Sequence, residues 1–399
     1  MPATTLSIEN SRRLLQRSDA LMVRGCQGHK RNHMMLERGY PVFASAAKGA
    51  RFTDVDGNEL VDYLMGFGPI VLGHGDPAVA QAVHAQLVDG VIFSTAHERE
   101  LVVAERLLSL FPWAGRIGFA IGGSAATSQA IRLARAYTGR EVILRCGYHG
   151  WHDWTAIDPI GVPAGVQAVS CVIPYNDLEA LRAALAAQPV AGVIVETIQE
   201  SGPDAGYLQG VIDAAREAGA VSILDEVKTG CRVAIGGACE LYGLEPDIAT
   251  FGKAWCNGLP GAFFVGKEEI LSDDRCQQAW LAATFHCELA SFAALEVVLD
   301  RLEREDGIAH QARLGTRFME GINAACKAGG VGYQLAGHPA MPQPLILEDK
   351  PKVIRMLQGA LQRGHYIHPG HCMFFSLAHT EADIESAIAA VEASIAELD

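Results

Sequence analysis

The spacing of apolar residues changes character along this chain, and each change predicts a different kind of element. Residues 15–22 carry apolar side chains at helical spacing, and residues 41–63 then alternate around the turn Asp54-Val55-Asp56-Gly57-Asn58, which predicts a hairpin. From Gly73 onward short apolar runs alternate with amphipathic stretches, the pattern of a parallel sheet covered by helices. Strands are predicted at 117–120, 141–145, 190–195, 221–224 and 262–265. Asp76-Pro77 predicts a helix start, with a capping acid and proline in the first turn, leading into 78–87. A second helix is predicted over 126–137, where Ala130, Ile131, Leu133, Ala134 and Tyr137 share a face. Beyond residue 295 the texture becomes a long helical run through Leu302, then short strands between 332 and 378. A last helix follows from Thr380, with Ile384, Ile388, Val391, Ile395 and Leu398 on one side. The expected fold class is α/β: a large, mostly parallel-sheet domain over 66–295 flanked by helices, and a smaller α+β domain over 296–399 that residues 1–65 join.

Composition narrows the function classes. With 399 residues and 49% apolar positions the chain buries a large core, and a formal net charge of −14 argues against nucleic acid and anionic membranes as general partners. Small molecules are the expected partners. No apolar stretch reaches the length of a spanning helix, and the polar residues 1–12 lack the apolar centre of a leader. The ten cysteines include no Cys-x-x-Cys spacing, so they read as reduced thiols of a cytoplasmic protein.

The candidate chemistry lies where strands end. Ile223-Leu224-Asp225-Glu226-Val227-Lys228 delivers an acid from an apolar strand, and 28 residues later Phe251-Gly252-Lys253 presents a lysine beside a glycine. A lysine amine that forms an imine with an aldehyde, and a buried carboxylate that keeps a pyridine nitrogen protonated, are what pyridoxal-phosphate chemistry requires. The chain has only eight lysines, and the choice lies between Lys228 and Lys253; the approach through 246–251 and the small residues Gly258 and Gly261 favour Lys253. Gly122-Gly123-Ser124 falls between a strand and a helix, where free backbone N–H groups face a phosphate. Tyr148, in Cys146-Gly147-Tyr148-His149-Gly150-Trp151-His152, is an aromatic ring at the end of the next strand, placed to stack on a cofactor. No metal is expected. The acids of residues 54–58 lack the glutamate that closes a calcium loop, and Pro369-Gly370 interrupts the spacing of His365, His368 and His371.

These motifs resemble the class III, fold-type-I pyridoxal-phosphate aminotransferases, in the branch of glutamate-1-semialdehyde aminomutase. The resemblance runs from about Gly39 to the carboxyl terminus. It is carried by Asp54-Val55-Asp56-Gly57-Asn58, Leu72-Gly73-His74, Ala130-Ile131-Arg132-Leu133-Ala134-Arg135, Tyr148-His149-Gly150, Asp225-Glu226-Val227, Phe251-Gly252-Lys253 and Ala378-His379-Thr380. It implies pyridoxal 5'-phosphate as cofactor, Lys253 as the aldimine lysine and proton shuttle, Asp225 on the pyridine nitrogen, Tyr148 stacked on the ring and Val227 on its opposite face. It also implies that Gly123 and Ser124 hold the phosphate, that Glu196 supports the site, and that Thr284 reaches the phosphate of a neighbouring subunit in a homodimer.

The chain also departs from the family pattern, so the substrate does not transfer with the resemblance. The usual Asn-Ser-Gly-Thr-Glu-Ala turn is here Ile121 to Ala126 with Ala125 in place of the acid, Thr197 replaces a proline, and Phe67 stands where aminomutases carry tryptophan. Phe67, His149, Trp151 and His368 are the candidate substrate contacts. The expected activity is transfer of an amino group between an amine donor (an amino acid, an amino sugar or a similar compound) and a carbonyl acceptor. An aminomutase or amino-acid racemase is the alternative within this chemistry, and a catalytically silent cofactor-binding protein the alternative outside it.

Overall fold

Strands that are apolar on both faces need cover on both faces, and the runs Val190–Glu196, Val221–Asp225 and Ile248–Phe251 obtain it at the centre of a seven-stranded sheet. The computed structural model describes residues 6–25, 32–200 and 202–398, so the first five positions of the polar stretch 1–12 lie outside the described residues. The chain divides into two units, one of residues 77–308 and the other of residues 1–76 with 309–399.

In the 77–308 unit the strands Ile248–Phe251, Val221–Asp225, Val190–Glu196, Val142–Cys146 and Ser170–Val172 run parallel as neighbours in that order. Ala262–Gly266 adds antiparallel to Ile248–Phe251, and Arg116–Ala120 antiparallel to it in turn. The sheet is mostly parallel, as expected, and Ala262–Gly266 is where it reverses. The physical reason is the connection: a parallel return requires a crossover of a dozen or more residues, and residues 252–261 hold only the short helix Lys253–Cys256. Ser170–Val172 was not anticipated, since a three-residue strand leaves almost no periodic signal. The helix Gly123–Thr138 presses Ala126, Ala130, Ile131, Leu133 and Ala134 inward, and Ile131 and Leu133 share one core with Ile143, Ile194 and Ile223. Full burial of each such Leu or Ile contributes about 1.5–3 kcal/mol over leaving it exposed.

In the other unit Arg51–Asp54 and Glu59–Asp62 form the expected antiparallel hairpin. Its turn is a side-chain turn: Asp54 Oδ1 accepts from the backbone N–H groups of Asp56 at 2.9 Å and Asn58 at 2.8 Å. Ala44–Lys48 extends this sheet on one side, and His365–Tyr366 pairs in parallel on the other. The final helix, Glu381–Ala396, opens on a capping box between Thr380 and Asp383, and buries Ile384, Ile388 and Val391 against Phe318, Met356 and Leu357.

The unit divisions fall at residues 76 and 308, beyond the expected 65 and 295. Tyr63 and Val71 carbonyls accept from the N–H groups of Phe374 and Leu377, at 2.8 and 2.9 Å, which ties residues 63–71 to the carboxyl-terminal segment. At the other boundary, residue 295 lies inside the unbroken helix Leu289–Arg304. No described helix is long and apolar enough to cross a membrane.

Candidate active site

Parallel strands discharge their carboxyl ends on one edge of a sheet, and here that edge collects the acids. Glu196 and Asp225 are register partners at the ends of neighbouring strands, and Thr250 is the register partner of Asp225 on the next. Tyr148 follows Val142–Cys146 within two residues, and Lys253 follows Ile248–Phe251 by the same step. Gly123, Ser124, Tyr148, Glu196, Asp225, Val227 and Lys253, all named from sequence, line one cavity of about 200 Å³, joined there by His149, Gly150 and Lys228.

Local backbone geometry shapes this cavity. Lys253 adopts the left-handed region at φ 53°, a conformation that costs a residue with a Cβ about 1–2 kcal/mol and must be held by its surroundings. The extended Gly252 precedes it, and the short helix Lys253–Cys256 buries Ala254, Trp255 and Cys256 behind it. Gly123 opens the helix Gly123–Thr138, and a Cβ there would lie 2.7 Å from Val227 Cγ1, so only glycine lets Val227 approach. Gly150, at φ 118°, packs so close to Ser124 that an added Cβ would meet its Oγ at 2.3 Å.

The charged side chains pair off within the cavity wall. Asp225, 3% exposed, accepts from Val227 N at 3.1 Å and from Thr250 Oγ1 at 3.5 Å through Oδ1, and from His149 Nδ1 at 2.7 Å through Oδ2. Lys228 Nζ stands 2.5 Å from Glu196 Oε1, and Glu196 Oε2 accepts from Tyr148 N at 3.3 Å. Burial opposes ionisation of Glu196, but the charge and hydrogen bond of Lys228 prevail and hold its carboxyl below the usual range. Burial, with Asp225 nearby, raises the Tyr148 phenol above its ordinary value.

The residues named as substrate contacts or as a subunit contact are placed differently. The His149 ring is enclosed against Asp225 and the Trp154 ring, where the sequence reading had counted it among the substrate contacts. Trp151 is 74% exposed with its edge on His152, and Thr284 is exposed; neither lines this cavity. Phe67 and His368 belong to the other unit, where they line a cavity of about 240 Å³ that also includes Phe43, Leu64 and Tyr366. Phe67 is left-handed at φ 70°, with His371 edge-on at 5.0 Å and His368 at 6.3 Å. Among the described residues no group of three or more His, Cys, Asp or Glu side chains is disposed to hold a metal ion. Sequence reasoning named His149 as a substrate contact and Lys228 as the competing lysine, but it missed Thr250 and the pairing of His149 with Asp225 and of Lys228 with Glu196.

The donor set fits a phosphorylated pyridine aldehyde. One lysine, one buried carboxylate, an aromatic ring and a helix amino terminus share the cavity, and beside the terminus an added Cβ at Gly122 would meet nothing within 4 Å. Fold and site together define a fold-type-I pyridoxal-phosphate enzyme. The family profile described as Aminotransferase class-III matches residues 35–157 and 159–392, and the chain belongs to that family. Its cofactor is pyridoxal phosphate, and its activity is movement of an amino group between an amine donor and a carbonyl acceptor.

Relatives span the whole chain. The 3-aminobutyryl-CoA aminotransferase of Cloacimonas acidaminovorans is 32% identical over 413 residues, covering 99% of both chains. A glutamate-1-semialdehyde 2,1-aminomutase of Anaeromyxobacter dehalogenans is 34% identical over 397 residues, covering 90% of this chain and 91% of its own. Among solved structures, the internal aldimine form of the FumI protein from Sphingopyxis superposes with a TM-score of 0.91 at 27% identity, covering 97% of this chain and 96% of that one.

Proposed function

We propose that Lys253 is the residue that bonds the cofactor and moves the substrate proton, with Asp225 on the ring nitrogen, Tyr148 and Val227 on the two ring faces, and Gly123 and Ser124 on the phosphate. The observation that carries this reading is the pairing of charges in the cavity. Lys228, the other lysine there, is engaged by Glu196 at 2.5 Å, while Lys253 lines the same cavity two residues past the strand Ile248–Phe251, and the nucleophilic amine is assigned to Lys253. The bound cofactor supplies an electron sink for the substrate carbon. Lys253 supplies the base and acid at that carbon, Asp225 supplies the fixed negative charge, and the first N–H groups of Gly123–Thr138 supply anion contacts without a side-chain charge.

Lys253→Ala tests the assignment: the visible absorbance of the lysine-bound cofactor and steady-state turnover should both disappear, and retention of either overturns it. The named aminomutase relatives favour one second reading, in which the amino group never leaves for another molecule. Adding a keto acid to the amine-loaded enzyme separates the two, because a transaminase returns to the aldehyde form and releases a new amine. A screen of amino acids, amino sugars and simple amines as donors, read by cofactor absorbance, identifies the substrate.

A homodimer in the cytoplasm completes the reading, with Thr284 contributed to the partner's site. Support comes from the exposed apolar side chains Leu87, Val88, Ile92, Phe93, Leu101 and Val102, which crowd the end of Pro77–Asp89, the next loop and the start of Glu98–Ser109. Contiguous apolar surface of this kind marks association. Light scattering after size exclusion should report twice the chain mass of 42.6 kDa, and a monomer would overturn this part. The nine described cysteines form no disulfide with one another, in keeping with a reducing compartment.

A further inference from the structure

Bonding an aldehyde takes one lysine, yet two line the cavity, and an acid stands within reach of both. Lys228 Nζ is 2.5 Å from Glu196 Oε1, and Lys253 lies near enough for its charge to act on the same carboxylate. Glu196 is not placed to avoid them. Its strand end is in register with Asp225, and its Oε2 accepts from Tyr148 N at 3.3 Å, which holds the carboxylate on the cavity side.

An amine attacks an aldehyde only in its neutral form, and a carboxylate nearby favours the protonated form. Glu196 therefore works against Lys253 unless its charge is met elsewhere. The other titratable groups lining the cavity do not meet it. Asp225 is a second acid, Tyr148 is a phenol raised above its ordinary value by burial, and His149 Nδ1 is taken up by Asp225 Oδ2 at 2.7 Å. Nor do the elements packed behind Lys253–Cys256. The strand Ala262–Gly266, whose Phe263 meets Trp255, carries no charged side chain, and Glu288, capping the helix Leu289–Arg304, is occupied by the N–H groups of Ala290 at 2.8 Å and Ser291 at 3.0 Å. The charge that meets Glu196 comes from Lys228.

We propose that Lys228 is a positioning residue that acts through Glu196: by pairing with that carboxylate it keeps the negative charge from holding a proton on Lys253, and so keeps the Lys253 amine available to the cofactor aldehyde and to the substrate carbon. This rests on the reading that Lys253 is the lysine that bonds the cofactor. Lys228 then serves the reaction by its charge, without bonding cofactor or substrate itself.

A pH titration of the holoenzyme tests it, because the visible band of the lysine-bound cofactor changes when the nitrogen joining the two gains or loses its proton. Lys228→Met leaves Glu196 uncompensated and should raise the pH midpoint of that change by about one unit, the lower end of what a charge at this range does, since solvent reaches the pair. Glu196→Gln leaves the cation uncompensated and should lower the midpoint. The double variant should return close to the parent, and Lys228→Arg, which keeps the charge, should stay there. An unmoved midpoint in either single variant, shifts of the same sign in both, or a double variant that stays with either single one would overturn the proposal. So would a Lys228→Arg midpoint displaced as far as that of Lys228→Met. A purely structural pair would weaken both single variants toward urea without moving the band in opposite directions. If Lys253→Ala retains the band, the reading beneath fails; if Lys253→Ala loses it while the Lys228 and Glu196 variants titrate like the parent, only the present inference fails.

Discussion

Lys228 and Lys253 illustrate how little a residue type says before its neighbours are known. Both lie in one cavity, yet one faces a carboxylate at 2.5 Å while the other sits in a left-handed backbone on a short return loop. The Lys228–Glu196 pair is mostly but not fully enclosed, with side chains 18% and 15% exposed, so solvent screens part of the loss when it is broken. Lys228→Met should therefore destabilise by about 1–2 kcal/mol in urea unfolding. Adding Glu196→Gln should recover part of that, because the uncompensated charge is removed with its partner. Strict additivity of the two changes would show that the pair is not coupled. The sequence singled out Lys253, Asp225 and Tyr148 because Asp225 ends an apolar strand and Tyr148 and Lys253 each come two residues after one. The pairing of His149 with Asp225 and of Lys228 with Glu196 escaped it, because a contact across 76 or 32 positions leaves no periodic trace.

Elements were legible in proportion to their length and to the strength of their end signals. The last helix was readable from Thr380 onward, since a threonine followed three residues later by an acid satisfies two backbone donors reciprocally, and the structure places the capping box there. Thr380→Ala should lower stability by roughly 1 kcal/mol, measured as a shift of the urea midpoint without a change of slope; an unchanged midpoint would show that the cap contributes nothing. The strand at Ala262–Gly266 was legible as a strand but not in direction. Direction depends on whether the preceding segment is long enough to cross over, and the ten residues 252–261 are not. That same reversal puts Lys253 on a tight connection beside the parallel strand ends, so the exception to the sheet's pattern bears directly on the site.

For the whole molecule, acid should act through buried imidazoles. His365 is 3% exposed, its ring nitrogens facing Tyr63 Oη at 3.2 Å and Ser386 Oγ at 3.1 Å, and burial pushes its pKa from the ordinary 6.5 down to about 4. Between those values the unfolded chain holds a proton that the folded chain does not, so stability is full above about 6.5 and falls as pH drops toward 4. The expected loss from this residue is roughly 3 kcal/mol over that window. Urea midpoints at pH 7 and pH 5 should differ less in His365→Gln than in the parent chain, although the variant is weaker at pH 7; equal differences would remove His365 as the cause.

The class of fold and the cofactor of this protein were legible in the sequence, and its family motifs proposed Lys253, Asp225 and Tyr148 for the site, because strand period, helix caps and short motifs are local properties that survive in one dimension. Only the tertiary structure decided the direction of Ala262–Gly266, the divisions at residues 76 and 308, and the partners of Asp225 and Glu196. Those depend on which distant segments meet at a sheet edge or in a core. Such meetings are set by the summed packing of many residues, which no short window of sequence contains.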